Sequence, residues 1–542
     1  MDKQTIIALL MILLVYIGFD TFVWKPQREQ QAALAQVESL EEPPAEEERP
    51  GEAAAALPSS ENGIEIASAE SDAQDYILEN DNLRAVFSSR GAVITSLELK
   101  EYDITEGTPV DLVPDRSVLL NSKLYTQGKS SDLDEVIFST VENQDERSLA
   151  FYLGEEENPQ LSISYKLDDL YGIAVEYNVQ NMGNVNGFRV SLDSGIADSE
   201  PNPRHKMQDY RFLLNADNKL FKLPLSKMRK AQPQGSFGSF SWAAVRSKYF
   251  TLAVRANEVA LFRSYSACLN PETKNPGFSI DSFSKDAKAF WNESYTLYAG
   301  PADAKILGNY GLQMENIAER GANWLRWLAN FFAWFLNWLH GLIPNYGVVI
   351  IIFALLLKFA LSPLTTKSMR TTIKMQEIQP ELNALQAKYK DNPQMLQQEM
   401  GKLYKEAGAN PLSGCLPLLL QMPVFFALYS VLRYSMDMRN AKFVFWLKDL
   451  SEPDPYLILP ILMGLFMIIQ SKMTQPKPGD IDQMDEKQKA AQSSQKMMTY
   501  MMPVMMFFIF KNMPAGLVLY WTIFNVFTIA HQYYLRKKFS KE

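Results

Sequence analysis

The run IIFALLLKFALSPLTTK, residues 351–367, sets Lys358 inside an apolar stretch, with Leu355, Leu356 and Leu357 before it and Phe359, Ala360 and Leu361 after it. Ser362–Pro363 reads as the stop. A charge at the centre of a membrane helix costs about 2.5–3.5 kcal/mol on insertion scales, and such charges usually face a bundle interior or a wet cavity. Lys358 therefore needs water or a partner inside the protein. The competing reading is snorkelling: Thr365 lies seven residues on, about 10 Å of helix, and a lysine side chain covers part of that toward the headgroups.

Outward from this run, apolar stretches recur at about Tyr346–Thr365, Cys415–Tyr434, Tyr456–Lys472, Met497–Phe510 and Gly516–Leu535, and an earlier one, IIALLMILLVYIGFDTFVW, occupies 6–24. A helix crossing ~30 Å of hydrocarbon takes roughly 20 residues. The first run is either a retained anchor or a cleaved signal peptide; its flank DTFVWKPQ has no small-x-small cleavage site, which favours the anchor. Six spans put both termini on one side. Lys367, Arg370, Lys374, Lys388, Lys390, Lys402 and Lys405 crowd segment 366–414, Lys472, Lys477, Lys487, Lys489 and Lys496 crowd 472–496, and the tail ends LRKKFSKE. The positive-inside rule makes those segments and both termini cytoplasmic, which leaves 26–343 and the loop 435–455 outside. None of the five later spans contains Asp or Glu.

The 542 residues are 47% hydrophobic and 21% charged, with a mean hydropathy of -0.16 that averages over unlike parts. The net charge of -9 has a local source, since 28–75 holds thirteen Asp or Glu against Arg28 and Arg49. That acidic stretch (26–75), rich in Pro, Ala, Glu and Ser, cannot bury enough apolar surface to offset chain entropy and reads as a disordered linker after the 1–25 anchor. Two cysteines, Cys268 and Cys415, and three scattered histidines support neither a disulfide framework nor a metal site.

From 76 to 301 the pattern changes to period-two runs such as LSISYKL and YGIAVEYNVQN, separated by Gly, Asn, Asp and Pro. That predicts a large antiparallel β-domain, a sandwich rather than a closed barrel. It carries no nucleophile elbow, phosphate loop or metal pair, so it reads as a scaffold or binding surface. Residues 302–343 read as an amphipathic interfacial helix, because Trp324, Trp327, Trp334 and Trp338 fall within fifteen residues and indole favours the membrane boundary. Between the spans, 368–406 reads as a cytoplasmic helical hairpin with its turn at DNP (391–393) and its charged face to water, and 473–496 as a second cytoplasmic loop.

Four segments, ANPLSGCLPLLLQMPVFFALY (409–429), DPYLILPILMG (454–464), MMTYMMPVMMFFIF (497–510) and MPAGLVLYW (513–521), resemble the YidC/Oxa family of membrane protein insertases in its Gram-negative form. The resemblance implies a polytopic α-helical inner-membrane protein of six transmembrane helices, with a five-helix core over 344–535, a periplasmic β-sandwich and a short basic tail, 536–542. It implies an insertase and chaperone for nascent membrane proteins, acting alone or with the Sec translocon, and no enzyme, cofactor, metal or small-molecule substrate. In the family a hydrated groove open to the cytoplasm and to lipid carries a positive residue, usually arginine; Lys358 stands in that place and exchanges a planar fork for a point charge.

Gln421, Trp521 and Asn525 are the other candidates for the groove, the last two because i, i+4 residues share a helix face. Each is also readable as interhelical glue. Lys374, Lys388, Lys390, Arg536, Lys537 and Lys538 are candidates for contact with the ribosome or the signal recognition particle machinery. The short fifth span would thin the bilayer locally. The other classes open to the sequence are an ion-coupled transporter or channel subunit with Lys358 at its gate, and a periplasmic binding module on a complex anchor. The first lacks intramembrane carboxylates and an inverted repeat.

Overall fold

The computed structural model describes residues 72–539, apart from 410–415, 475–498 and loop segments of one to six residues. The 6–24 run, the acidic linker, Cys415 and Lys390 lie outside the described residues. The described chain divides into two compact units, one within 27–319 and one from 320 onward.

The first unit is built of antiparallel strands, as the period-two runs require. A four-stranded sheet comprises Asp75–Glu79, Leu83–Ser88, Val93–Thr105 and Thr108–Asp111. A thirteen-stranded sheet centres on two long strands, Gly172–Leu192 and Pro276–Pro301, paired from Gly172↔Tyr298 to Leu192↔Phe278 across a bulge after Gln180. In Leu83–Ser88 the alternate side chains Leu83, Ala85 and Phe87 are buried. Phe87 meets Tyr165 of the large sheet with ring centroids 4.7 Å apart, and Tyr76 meets Phe151 at 5.8 Å. The two sheets therefore share one core face to face.

A carboxyl group sits in that core. Ser282 Oγ donates to Glu293 Oε1 at 2.5 Å and Trp291 Nε1 donates to Oε2 at 3.0 Å, while burial pushes the Glu293 carboxyl up to about 7 and neighbouring Asp281 adds to the rise. Because the folded state holds its proton more tightly than the unfolded chain, the contribution is fully present below pH ~4.5. It is lost as pH rises to about 7, up to about 3 kcal/mol in all. We expect Glu293→Gln to gain thermal stability over wild type as pH goes from 4.5 to 7.5, read by calorimetry of the β-unit in the full chain. A stability difference independent of pH contradicts this.

The expected helix over 302–343 is not one helix. It begins as a five-residue helix, Ala304–Gly308, capped by Asp303, after which Gly311, Leu312 and Gln313 take positive φ of 69°, 49° and 62° and break it. The broken stretch belongs to the β-unit: Trp242 Nε1 and Asn215 Nδ2 both donate to Leu312 O, at 2.9 and 3.0 Å, and Arg246 Nη1 donates to Ile317 O. These backbone groups compete with helix continuation because they satisfy buried side-chain donors.

The second unit is helical. Helix α1, Arg326–His340, buries Ala329, Phe332, Leu336 and Leu339 at 3-4-3 spacing and exposes Trp327, Trp334 and Trp338, so the amphipathic face is present in a shorter element. Helix α2, Tyr346–Glu377, starts at Asn345, whose Oδ1 accepts from Val348 N. It runs through Pro363, contrary to the expected stop. Proline removes one intrahelical donor, but Thr365 Oγ1 donates to the Leu361 and Ser362 carbonyls on that turn. Helices α3 (Gln379–Lys388) and α4 (Pro393–Glu406) form the hairpin, with Asn392 capping the second and only Leu382 buried between them.

Then follow α5 (Leu416–Tyr434), α6 (Ile458–Thr474), α7 (Thr499–Phe510) and α8 (Ala515–Phe539). Among the described residues α2 alone is long and apolar enough by itself to cross a membrane; Leu419–Tyr434, Ile458–Thr474 and Thr499–Phe510 are shorter apolar helices. The loop 435–455 closes one end of the unit, since Ala515 N donates to Glu452 O and Gly516 N to Leu450 O, which satisfies the first amides of α8. Gly347 of α2 lies against the Phe443 ring of that loop, where a Cβ would collide.

Candidate functional site

Helices α2 and α8 pack side by side with Ile350 against Gly516 and Phe353 beside Tyr520, ring centroids 6.2 Å apart. That register puts Phe524 and Asn525 level with Lys358. The Lys358 side chain, 6% exposed, instead reaches further along α8: Nζ donates to Thr528 Oγ1 at 2.8 Å and lies 4.8 Å from the centre of the Phe524 ring. Thr528 Oγ1 donates its own proton to Phe524 O at 2.7 Å, which orients its lone pairs toward the ammonium. Lys358 thus does extend along the helix as a snorkelling lysine does, by about one turn or 5 Å, and ends on a hydroxyl inside the bundle. A hydrogen bond involving a charged group is worth about 1.5–3 kcal/mol and a partly desolvated cation–π contact about 0.5–2 kcal/mol. Together they offset most of the insertion cost without neutralising the charge.

A cavity of about 260 Å³ opens beside this ammonium between α2, α5, α6 and α8. Its wall on α2 is a polar stripe at helical spacing, Lys358, Thr365, Ser368, Thr372 and Gln376, and on α8 another, Trp521, Asn525, Thr528, Gln532 and Arg536. Gln421 comes from α5 and Gln470 and Thr474 from α6. Among the described residues the lining contains two cations and no Asp or Glu. Gln421 Nε2 donates to Tyr520 OH at 2.7 Å, which turns Tyr520 into the core. Trp521 Nε1 and Asn525 Nδ2 are buried donors with no acceptor among the described residues. Buried polar groups left unpaired cost about 1–3 kcal/mol each, so these two suit a site that takes water or a polar guest.

All four residues expected at the groove, Lys358, Gln421, Trp521 and Asn525, line this one cavity. The residues expected to contact the ribosome or targeting machinery divide. Lys374 lies on α2 and Lys388 on α3, where Nζ stacks 5.1 Å from the Tyr389 ring centre, and Lys537 and Lys538 are exposed. Arg536 turns the other way, into the cavity, donating to Gln376 Oε1 at 3.1 Å and to Met473 O. Sequence reasoning missed Thr528 and Gln376; for Thr528 the 4-3-4-4 spacing of polar residues from Trp521 to Arg536 was the available signal.

Comparison with known proteins fits this architecture. A family model described as 60Kd inner membrane protein matches 338–542, and one described as YidC periplasmic domain matches 76–335. The membrane protein insertase YidC of Chlorobium phaeovibrioides is 33% identical over 99% of this chain and 95% of its own length. The chain belongs to the YidC family. The insertase YidC of Syntrophus aciditrophicus is 30% identical over 99% of this chain and all of its own length. A crystal structure titled as an active YidC insertase with the first transmembrane domain resolved is 18% identical, with a TM-score of 0.37 over 87% of this chain and 94% of that one. YidC proteins are insertases rather than enzymes, and membership places this chain in the inner membrane, with a β-rich periplasmic domain and a helical unit.

Proposed function

We propose that this YidC-family chain inserts nascent membrane proteins by admitting a short polar segment of the client into the cavity beside Lys358, while the client's apolar helix partitions into lipid. The observation that carries this is an ammonium buried against a neutral hydroxyl in a cavity whose described lining holds no carboxylate. A client Asp or Glu supplies the missing counter-charge, and Trp521 and Asn525 offer donors to its backbone. Gln421, held by Tyr520, forms the opposite wall. Burial of the client's apolar helix supplies the drive, at roughly 25 cal/mol per Å². The twelve residues of α7 span only ~18 Å as a helix, which thins the bilayer beside the cavity.

In this reading the chain crosses the membrane six times with both termini cytoplasmic, and α2, α5, α6, α7 and α8 are the insertase core. The exposed Lys374, Lys388, Lys537 and Lys538 face the ribosome or the signal recognition particle machinery, and the Sec translocon is a lateral partner for larger clients. The test is labelling by a membrane-impermeant thiol reagent, with Cys268 and Cys415 changed to serine. Ser199 is fully buried and unsuitable, whereas Glu156 and Gln394 are exposed. A cysteine at Glu156 labels in intact spheroplasts, and cysteines at Gln394 and Asn525 label only from the cytoplasmic side. Labelling at position 394 from outside overturns the orientation; no labelling at 525 from either side removes the hydrated cavity.

A further inference from the structure

We propose that Arg536 is a second anion-recognising residue of the cavity, meeting a client's acidic side chain at the mouth before Lys358 meets it inside; this rests on the cavity function proposed above. Arg536 lies eight residues beyond Thr528 on α8, about 12 Å along the helix. Its basic neighbours Lys537 and Lys538 are exposed, but its own guanidinium is half-buried in the cavity wall.

What holds it there is a clamp of three helices. Nη2 donates to Gln376 Oε1 of α2 at 3.1 Å and to Met473 O at the end of α6. Gln376 Nε2 donates to Thr474 O at 2.5 Å, and Gln532 Nε2 reaches Thr474 Oγ1 at 3.5 Å. These contacts cap the last carbonyls of α6, where a helix carries partial negative charge. They fix the guanidinium without cancelling it, since every partner is a neutral amide or carbonyl. Both bonds leave from Nη2, so among the described residues Nη1 and Nε remain as N–H donors, each able to give one charge-assisted hydrogen bond to a carboxylate oxygen. With no carboxylate in the described lining, Arg536 and Lys358 set two positive stations on one path, and their fields add along a wall shielded from bulk solvent.

The consequence is a specificity effect on entry, separate from any ribosome contact. The test uses the purified full chain in liposomes without ribosomes, and single-span clients that differ only in Asp or Asn in the translocated segment. Arg536→Gln is expected to slow insertion of the Asp client three- to tenfold, leave the Asn client within twofold of wild type, and flatten the salt dependence of the Asp client. Arg536→Lys, which retains charge and loses the fork, is expected to restore most of the Asp-client rate. Equal slowing of both clients makes Arg536 a helix clamp only and overturns the proposal, as does unchanged insertion of both. Lys358→Ala measured in parallel separates the two claims: acid-selective loss there with none at Arg536 removes the mouth station alone, and no selectivity in either variant removes the cavity charge function beneath it.

Discussion

Lys358→Ala is expected to slow insertion of a client with an acidic translocated segment about tenfold while leaving its neutral counterpart within twofold. The magnitude follows from what is lost. A hydrogen bond between charged groups contributes about 1.5–3 kcal/mol, and a wet cavity holds it near the lower end, where each 1.36 kcal/mol in a barrier is a factor of ten. The neutral client loses only the hydration that the ammonium recruits. Removing the charge also removes its insertion cost, so the variant is expected to fold and to remain at least as stable as wild type. Lys358→Arg retains the charge and can stack its guanidinium on the Phe524 ring that now lies 4.8 Å from Nζ, so its rates should stay within about threefold of wild type for both clients. The readout is protease protection of each client in liposomes. Equal losses for acidic and neutral clients leave Lys358 a structural or hydrating residue.

The parts of this account that the sequence displays are those decided within one element. A lysine among leucines, an i, i+4 pair such as Trp521 and Asn525, period-two runs between 76 and 301, and a tryptophan-rich amphipathic face each express a local periodicity. The parts it conceals depend on convergence of several elements. Arg536 reads as one more basic residue of a tail, and only the carbonyl of Met473 and the amide of Gln376, some 60 and 160 positions away, turn it into the cavity. Lys358 is matched to Thr528 rather than to the level residue Asn525 because its side chain leans along the helix, which residue spacing does not encode.

Backbone punctuation misled twice, in opposite directions. Pro363 reads as a stop, yet the helix passes through it with Thr365 bonded to the carbonyls of Leu361 and Ser362. Residues 302–343 read as one helix, yet the buried donors Trp242, Asn215 and Arg246 claim the carbonyls of Leu312 and Ile317 for the β-unit. In the second case tertiary hydrogen bonds outweigh helix propensity, and in the first the bonds are local, a threonine hydroxyl on carbonyls of its own helix.

In the proposed function a client's acidic segment passes through the cavity itself, and contact there can be read directly. In a chain with Cys268 and Cys415 changed to serine, one cysteine replaces Asn525 on the cavity wall, and in a second variant one replaces Phe359, which adjoins Lys358 but is 71% exposed on the outer face of α2. A client halted in mid-insertion by a folded C-terminal domain carries its single cysteine next to the acidic residue of its translocated segment. Oxidation should give a disulfide adduct at position 525 as the dominant product, at least tenfold above that at 359, and adding Lys358→Ala should reduce it for the acidic client only. Adducts of equal yield at both positions, or at 359 alone, would place the segment in lipid outside the bundle and contradict the account.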